Sequence, residues 1–289
     1  MSVWTTDGEV RVSCDDEFPT LNWCVFAMSV SELMRRPVVP CPPDESLPHI
    51  LGPGVSHNES PTSILWAWSP LEISNLSNDK SIWPRTISTI GSRSNEMVVA
   101  AGARAPIRGP SSLLVTHLWE DLEGDPLGGV GVVLSEHVSS KWVWDLEGMG
   151  YTVIESFWDD RSRGPLEAIR ERVMQISECS YIISDCPASI GIAHSLEIPC
   201  LPLSAPRPIF DRNEESLARL DVVDAFEHCF GPHNVSVDIS AMVKTSVEDI
   251  DFDKFQEPLP LEPQLAAEIE LGLGVQQFLD HLYYESRKG

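Results

Sequence analysis

Residues 106–245 predict an α/β fold with a doubly wound parallel sheet. Two observations support it: short apolar runs alternate with stretches of helical spacing, and glycine or proline marks most of the boundaries between them. A helix between two strands gives the chain enough length to cross over and start a parallel neighbour. Helices would then cover the sheet, which explains why the strands are apolar throughout their length.

The predicted elements of this half follow one another in a regular order. Gly148 and Gly150 end one helix, and Pro165 stands near the first turn of another. The order is helix RGPSSLLVTHLWEDL, strand VGVVLS, helix SSKWVWDLEGMG, strand YTVIES, helix GPLEAIRERVMQISEC, strand SYIIS, helix ASIGIAHSLE, strand IPCLPLS, helix RLDVVDAFEHCFG and strand NVSVDIS.

The rest of the chain divides into two further regions. Residues 1–105 are expected to form a separate, reduced N-terminal α/β domain, with a helix at NWCVFAMSVSELMRR and either a strand or a helix at TSILWAW. Residues 246–289 form an acidic, proline-interrupted connector and a C-terminal helix. That helix either folds back across a domain or makes a contact between copies of the chain.

The charge of the chain excludes several classes of partner. The net charge is -24, from 44 acidic and 20 basic side chains, so the surface should repel nucleic acid and anionic lipid. No apolar run is long enough to span a bilayer, and the N-terminal residues lack a secretory signal, which predicts a cytoplasmic protein. Any anionic ligand must be held by local basic groups, so single arginines in turns become informative.

The cysteines indicate neither a disulfide framework nor a metal site. There are seven, an odd number, and no two are spaced as a CxxC pair. We therefore expect mostly reduced thiols and no zinc knuckle. A nucleophilic Cys186 paired with His194 is a weaker hypothesis, because no third member of such a group is visible.

The segment SECSYIISDCPASIGIAHSLEIPCLPLSA contains the strongest candidate site. Its predicted strand leads into a helix through a turn that holds Ser184, Asp185 and Ser189. In open α/β sheets such turns lie at the carboxyl ends of strands, where ligands bind and where free helix amides can hold an anion. Asp185 is the predicted acid or base of this turn, and the two serines are predicted to bind substrate.

Three other residues stand where chemistry is expected. Arg108 precedes a Gly-Pro helix start and could bind a phosphate or carboxylate through its guanidinium. His137 follows a strand end and is a second candidate acid or base. Asp125 lies in a GDP turn, where it either forms the turn or binds a hydroxyl group.

Several segments together resemble the polysaccharide pyruvyl transferase family. GARAPIRGPSSLL is similar to that family's vRGPrT segment, EGDPLGG to its GDPalLlp segment and VGVVLSEHV to its iGvipHy strand. MQISECSYIISDCPASIGIAHSLEIPCLPL resembles, without a gap, the pattern I..cdyVISsSLHGlIfAhAyGIPavwl. The resemblance covers roughly residues 85–230.

The resemblance implies both a fold and a reaction. It implies a GT-B-like pair of Rossmann-like domains facing a cleft, and transfer of pyruvate from phosphoenolpyruvate to two hydroxyls of a sugar or glycan as a ketal, without a metal or nucleotide cofactor. His194 matches the second histidine of the family pattern and is expected to bind substrate. The last segment is also distantly similar to heptosyltransferase-like enzymes, which leaves a nucleotide-sugar glycosyltransferase as an alternative.

The sequence departs from the family at one important position. Ala188 stands where the family pattern has the histidine of SLHG, and Ser189 stands where it has the glycine. Three hypotheses follow: the chemistry has moved to Asp185, Ser184 and His137, the substrate has changed, or the chain is a non-catalytic interaction subunit. A flavodoxin-like nucleotide-binding domain stays open as well, although no GxGxxG or GxxxxGK[ST] sequence follows a strand.

Overall fold

The N-terminal part of the chain contains a small parallel sheet. In a computed structural model, the strands β1 (Val10–Ser13), β2 (Val38–Cys41), β3 (His49–Leu51) and β4 (Ser63–Leu65) pair in the order β2-β1-β3-β4, and every pairing is parallel. Helix α1 (Leu21–Met34) connects β1 to β2. The structure describes residues 9–13, 21–41, 49–51, 63–65, 86, 88–100, 102, 105–119, 122, 127–135, 141–156, 165–204, 220–232 and 236–260.

The C-terminal part contains a larger parallel sheet with the predicted alternation of strands and helices. A 3-10 helix (Ser111–Leu114) runs directly into α3 (Val115–Leu118), where the sequence predicted one continuous helix. The elements that follow are β5 (Val130–Leu134), α4 (Lys141–Gly148), β6 (Thr152–Glu155), α5 (Pro165–Ser177), β7 (Tyr181–Ser184), α6 (Pro187–Ser195), β8 (Cys200–Ser204), α7 (Leu220–Phe230), β9 (Val237–Asp238) and α8 (Ile239–Met242).

The five strands of this sheet lie in the order β6-β5-β7-β8-β9, and all neighbours are parallel. The chain therefore moves outward in one direction from β5 to β6 and in the other direction from β7 to β9. The reversal lies between β5 and β7. In doubly wound sheets a crevice forms at the carboxyl ends of the two strands at such a point.

Alternate residues of the central strands pack on opposite faces of this sheet. Val133 and Ile182 belong to one apolar cluster, with residues of α5, α6 and α7, whereas Val132 and Ile183 belong to another, with residues of α4 and α8. Helices therefore cover both faces. The predicted α/β class with parallel sheets and the doubly wound C-terminal sheet are confirmed.

The first apolar cluster continues into the N-terminal part of the chain. It includes Val10, Val12 and Ile50 from the small sheet, and α1 contacts α5, α6 and the 3-10 helix. The amide of Leu21, the first residue of α1, donates to the carbonyl of Ser156 after β6 at 2.5 Å. The start of α1 therefore lies at the carboxyl end of β6.

A helix before the predicted boundary is also attached to the larger sheet. The helix α2 (Ser92–Ala100) contacts α7, and the Asp224 carboxylate of α7 accepts hydrogen bonds from the amides of Arg93 and Ser94 at 3.0 and 2.8 Å. This carboxylate caps the helix start. The division into domains at residues 1–105, 106–245 and 246–289 stays a prediction.

Other expectations concern individual elements. The predicted helix at NWCVFAMSVSELMRR is confirmed as α1, and the TSILWAW segment contains strand β4. The predicted connector includes two short 3-10 turns, Val247–Asp249 and Phe252–Lys254, and Gln256 pairs with Cys200 in both directions. The predicted C-terminal helix lies outside the described residues. Among the helices the structure describes, none is both long and apolar enough to cross a bilayer.

Candidate functional site

The reversal point of the larger sheet brings Ser135 and Asp185 together. Ser135 directly follows β5 and Asp185 directly follows β7, and these strands are neighbours. Oδ1 of Asp185 accepts a hydrogen bond from the Ser135 amide at 2.7 Å, and Oδ2 accepts one from the Ser135 hydroxyl at 2.5 Å. One serine thus contacts both oxygens of the carboxylate.

This pair is well buried. Ser135 is 2% exposed and Asp185 is 4% exposed. Two donors stabilise the ionised carboxylate and fix its orientation, and together they fasten the end of β5 to the start of α6. For Asp185 to accept a proton from a substrate, one oxygen must share or release its bond to Ser135. Its predicted role as acid or base stays a prediction.

The two predicted serines of the turn bind each other. The hydroxyls of Ser184 and Ser189 lie 2.5 Å apart, and the Ser184 hydroxyl also accepts from the amide of Cys186 at 2.9 Å. The Ser189 hydroxyl donates to the carbonyl of Cys186 at 2.8 Å. Both side chains are fully buried, so their hydrogen bonds hold the turn in shape.

Helix α6 after this turn is buried along its whole length. It packs against α1, α5, α7 and the 3-10 helix, and Ala188 is only 2% exposed. The small Ala188 side chain fills the place where the family pattern has a histidine. His137 and Asp125, which the sequence also singles out, lie outside the described residues.

Arg108 lies in a different environment from Asp185. Its amide donates to the carbonyl of Thr89 at 3.0 Å, beside a short parallel pairing of Thr89 with Ile107. The side chain is half-buried, and its Nε atom is buried without a hydrogen-bond partner. In the described part of the chain, no hydrogen bond or ion pair joins Arg108 to Asp185.

His194 lies in the last turn of α6 and is 0% exposed. Its ring meets the edge of Phe230 with centroids 5.7 Å apart, and neither ring nitrogen has a well-formed hydrogen bond. Burial lowers the pKa of His194, and the nearby backbone of Leu259 partly opposes this effect. The imidazole is therefore neutral at pH 7.

His228 of α7 is a second histidine that the sequence analysis did not single out. Its Nε2 atom is buried without a partner, and its ring lies against Gly109, next to Arg108. Burial and, to a smaller extent, the nearby His194 lower the pKa of His228 to about 4. A histidine within a helical pattern carries no sequence signal of this environment.

Ser135 also escaped the sequence analysis, although a signal was present. It is the polar residue that ends the apolar run VGVVL, just as Ser184 ends YII. Because both predicted strands end at a serine, comparing the two strand ends would have identified Ser135 as a candidate site residue. Finding its partner, however, required the strand order.

The cysteines behave as buried apolar residues. Cys24, Cys179, Cys186, Cys200 and Cys229 are buried thiols that form no disulfide. Burial is the main cause that raises the pKa of Cys179 to about 11, and it also raises the pKa values of Cys200 and Cys229. These three thiols are therefore protonated at pH 7 and are poor nucleophiles.

The described residues contain no group of three or more His, Cys, Asp or Glu side chains placed to hold a metal ion.

No family model and no curated protein matches the chain. Among solved structures, a crystal structure of an uncharacterised protein from Klebsiella pneumoniae is similar, with a TM-score of 0.44 and 11% identity. That match covers 70% of this chain and 84% of the other chain.

Proposed function

We propose that the protein is a transferase related in architecture to the polysaccharide pyruvyl transferases, with a phosphoenolpyruvate-type anionic donor and a sugar or glycan acceptor. The two parallel sheets would be Rossmann-like halves facing a cleft. Two of the segments that carry the family resemblance lie next to or within elements of the larger sheet region. Arg108 stands three residues before the 3-10 helix, and residues 181–204 form the unit β7-α6-β8.

One contact carries this proposal. Helix α1 follows β1 of the small sheet, and its first amide donates to the carbonyl of Ser156, the residue after β6 of the larger sheet. This contact supports a cleft in which the carboxyl ends of both sheets take part. Ligands of doubly wound sheets bind at these ends, so a donor and an acceptor could meet there.

The proposed reaction needs a base and an anion site. An acceptor oxygen bonds to C2 of phosphoenolpyruvate while C3 gains a proton, and phosphate then leaves as the second acceptor hydroxyl bonds to C2. Asp185 or His137 would take the hydroxyl proton. Arg108 would bind an anionic group of the donor, with Ser184, Ser189 and His194 as further predicted binding residues and Asp125 at an acceptor hydroxyl.

A non-catalytic interaction subunit is the second candidate. Ala188 at the position of the family histidine and the mutual hydrogen bonds of Ser184 and Ser189 favour it. A nucleotide-sugar glycosyltransferase with the same architecture would use the same crevice, so only the donor separates it from the first candidate.

Thermal unfolding with candidate donors tests these alternatives. We expect phosphoenolpyruvate to raise the Tm, because a ligand that binds only the folded state stabilises it. Phosphate release with a mixture of sugar acceptors should then be lost in Asp185→Asn and retained in Asp253→Asn, a matched change at an exposed position. A shift caused only by nucleotide sugars would select the glycosyltransferase, and no shift with any donor would select the interaction subunit.

A further inference from the structure

Four neighbouring side chains bury polar atoms without partners. These atoms are Nε of Arg108, Oγ of Ser112, both ring nitrogens of His194 and Nε2 of His228. Ser112 is 1% exposed and His194 is 0% exposed. A buried polar group without a hydrogen bond destabilises the folded state, and few such groups occur in a native protein.

Two glycines bring these side chains together. A Cβ atom on Gly109 would lie 2.4 Å from Cδ2 of His228, and a Cβ atom on Gly191 would lie 2.1 Å from Oγ of Ser112. His194 is three residues after Gly191 and therefore lies near it on the same side of α6. The segment from Arg108 to Ser112 thus runs between α6 and α7, with a histidine from each helix beside it.

The acidic side chains of the surrounding elements are engaged elsewhere. On α7, Asp221 bonds to the amide of Val222, Asp224 caps α2 and Glu227 pairs with Arg93. The remaining titratable neighbours are the thiols of Cys200 and Cys229, which burial keeps protonated. In the described ranges, no carboxylate hydrogen-bonds or ion-pairs with Arg108, Ser112, His194 or His228.

We propose that Arg108, Ser112, His194 and His228 form a binding site for a small tetrahedral oxyanion, such as a phosphate group, which binds together with a proton. Each of the four side chains can donate a hydrogen bond to an anion, and the guanidinium is always charged. A neutral imidazole has only one N–H. An anion beside these two buried rings favours the protonated form of either one, because it supplies the opposite charge that stabilises an imidazolium.

This inference rests on the proposed function for the anion-binding roles of Arg108 and His194, and it deepens that function by adding Ser112 and His228 to the site. It would also explain how a chain with a net charge of -24 holds an anion at all. The neighbouring carboxylates bond to other groups, and the guanidinium of Arg108 supplies a positive charge at the site although the protein as a whole is acidic.

Calorimetric titration with sulfate tests the site. Sulfate keeps its charge between pH 5.5 and pH 7.5, so a change in affinity across this range reports the protein. We expect sulfate to bind about tenfold more tightly at the lower pH, with proton uptake visible as a dependence of the binding heat on the buffer. The buffer dependence of the binding heat is measured on the unaltered protein, so it does not require that any variant folds.

Variants then locate the site. Arg108→Gln should lose sulfate binding, whereas Lys254→Gln, which removes one exposed positive charge, should retain it. His228→Leu should abolish the pH dependence. Equal binding by the two charge variants, binding without proton uptake, or no binding at all would overturn the proposal. Sulfate cannot serve as a pyruvyl donor, so the two failures can be told apart: sulfate binding without phosphoenolpyruvate binding would reject the proposed function alone, and phosphoenolpyruvate binding without sulfate binding would reject this site alone.

Discussion

The two ends of α6 differ in whether their buried polar atoms have hydrogen-bond partners. At its start, Ser135 bonds to Asp185 and Ser184 bonds to Ser189, and the hydroxyls of the second pair also bond to backbone. Toward its end, His194 and the neighbouring Ser112 are buried and His228 is partly buried, and each has a buried side-chain atom without a hydrogen-bond partner. The first group has its partners within the protein, whereas the second group has atoms that a bound anion would pair.

A polar stretch of the sequence is therefore not the same as a set of polar atoms that can bind a ligand. The turn at residues 184–189 is the most conspicuous polar stretch of the segment, yet its hydroxyls and its carboxylate already have partners. A ligand that displaces them must replace bonds that exist, whereas a ligand beside His194 and His228 gains bonds that are absent. The start of α6 should therefore respond to mutation mainly through stability, and its end mainly through pH and anions.

The largest effect is expected at the start of the helix. Asp185→Ala removes the acceptor of two hydrogen bonds and leaves the buried amide and hydroxyl of Ser135 without a partner, which should destabilise the fold by about 4 kcal/mol. Urea unfolding followed by far-UV circular dichroism measures this. Asp253→Ala, on the exposed connector, is the matched control and should cost less than about 0.5 kcal/mol. Equal losses would mean that the start of α6 is not held by this carboxylate.

The next effect concerns the contact between Gly109 and His228. Gly109 has φ of +77°, and a Cβ atom there would overlap the His228 ring. Gly109→Ala should cost about 3 kcal/mol, from backbone strain together with overpacking. Gly102 has φ of +87° with no atom within 4 Å of an added Cβ, so Gly102→Ala should cost only the strain, about 1 kcal/mol. Similar values for the two variants would place His228 away from Gly109.

A moderate effect is expected from pH. The pKa of His228 is about 4 in the folded protein against an ordinary value of 6.5. Because the unfolded chain binds more protons between these values, stability should fall as the pH drops from 6.5 to 4, by about 2 kcal/mol from this residue. Urea midpoints at several pH values measure the slope. His228→Leu should flatten it, and an unchanged slope in that variant would show that His228 is not buried in its neutral form.

The smallest effect on stability is expected for an ion pair on the solvent side of α7, away from the polar groups at both ends of α6. Arg93 and Glu227 form an ion pair at 2.7 Å, with the arginine half exposed. Arg93→Ala should cost only about 0.5 kcal/mol, because solvent screens such pairs. Thermal unfolding at low and high salt should show this difference shrinking as salt is added. A loss of several kcal/mol would mean that the contact between α2 and α7 depends on charge.

The C-terminal sheet could be predicted because its strands are continuous apolar runs. Val130–Leu134 is buried at every residue, as expected for a parallel strand covered on both faces. The N-terminal strands β1, β2 and β3 have three or four residues each, and β2 contains Pro40. Runs this short show no clear period, and a proline argues against a strand, so the sequence predicted an N-terminal α/β domain but could not locate these three strands.

The candidate site was predictable only in part, for a similar reason. A turn rich in serine and aspartate after an apolar strand predicts the position of Asp185, but its partner Ser135 is fifty residues earlier in sequence. His228 looks like any histidine of a surface helix until α7 is placed against Gly109. Local pattern therefore located the residues near strand ends, whereas contacts between distant segments decided which of their atoms have partners.

The most direct test of the contrast between the two ends of α6 is nitrogen-15 NMR of the histidine side chains, recorded at pH 6 with and without inorganic phosphate. We predict that the resonances of His194 and His228 report neutral rings in the free protein, and that at least one of them moves to the protonated position when phosphate is added. Rings that stay neutral at saturating phosphate would contradict the account.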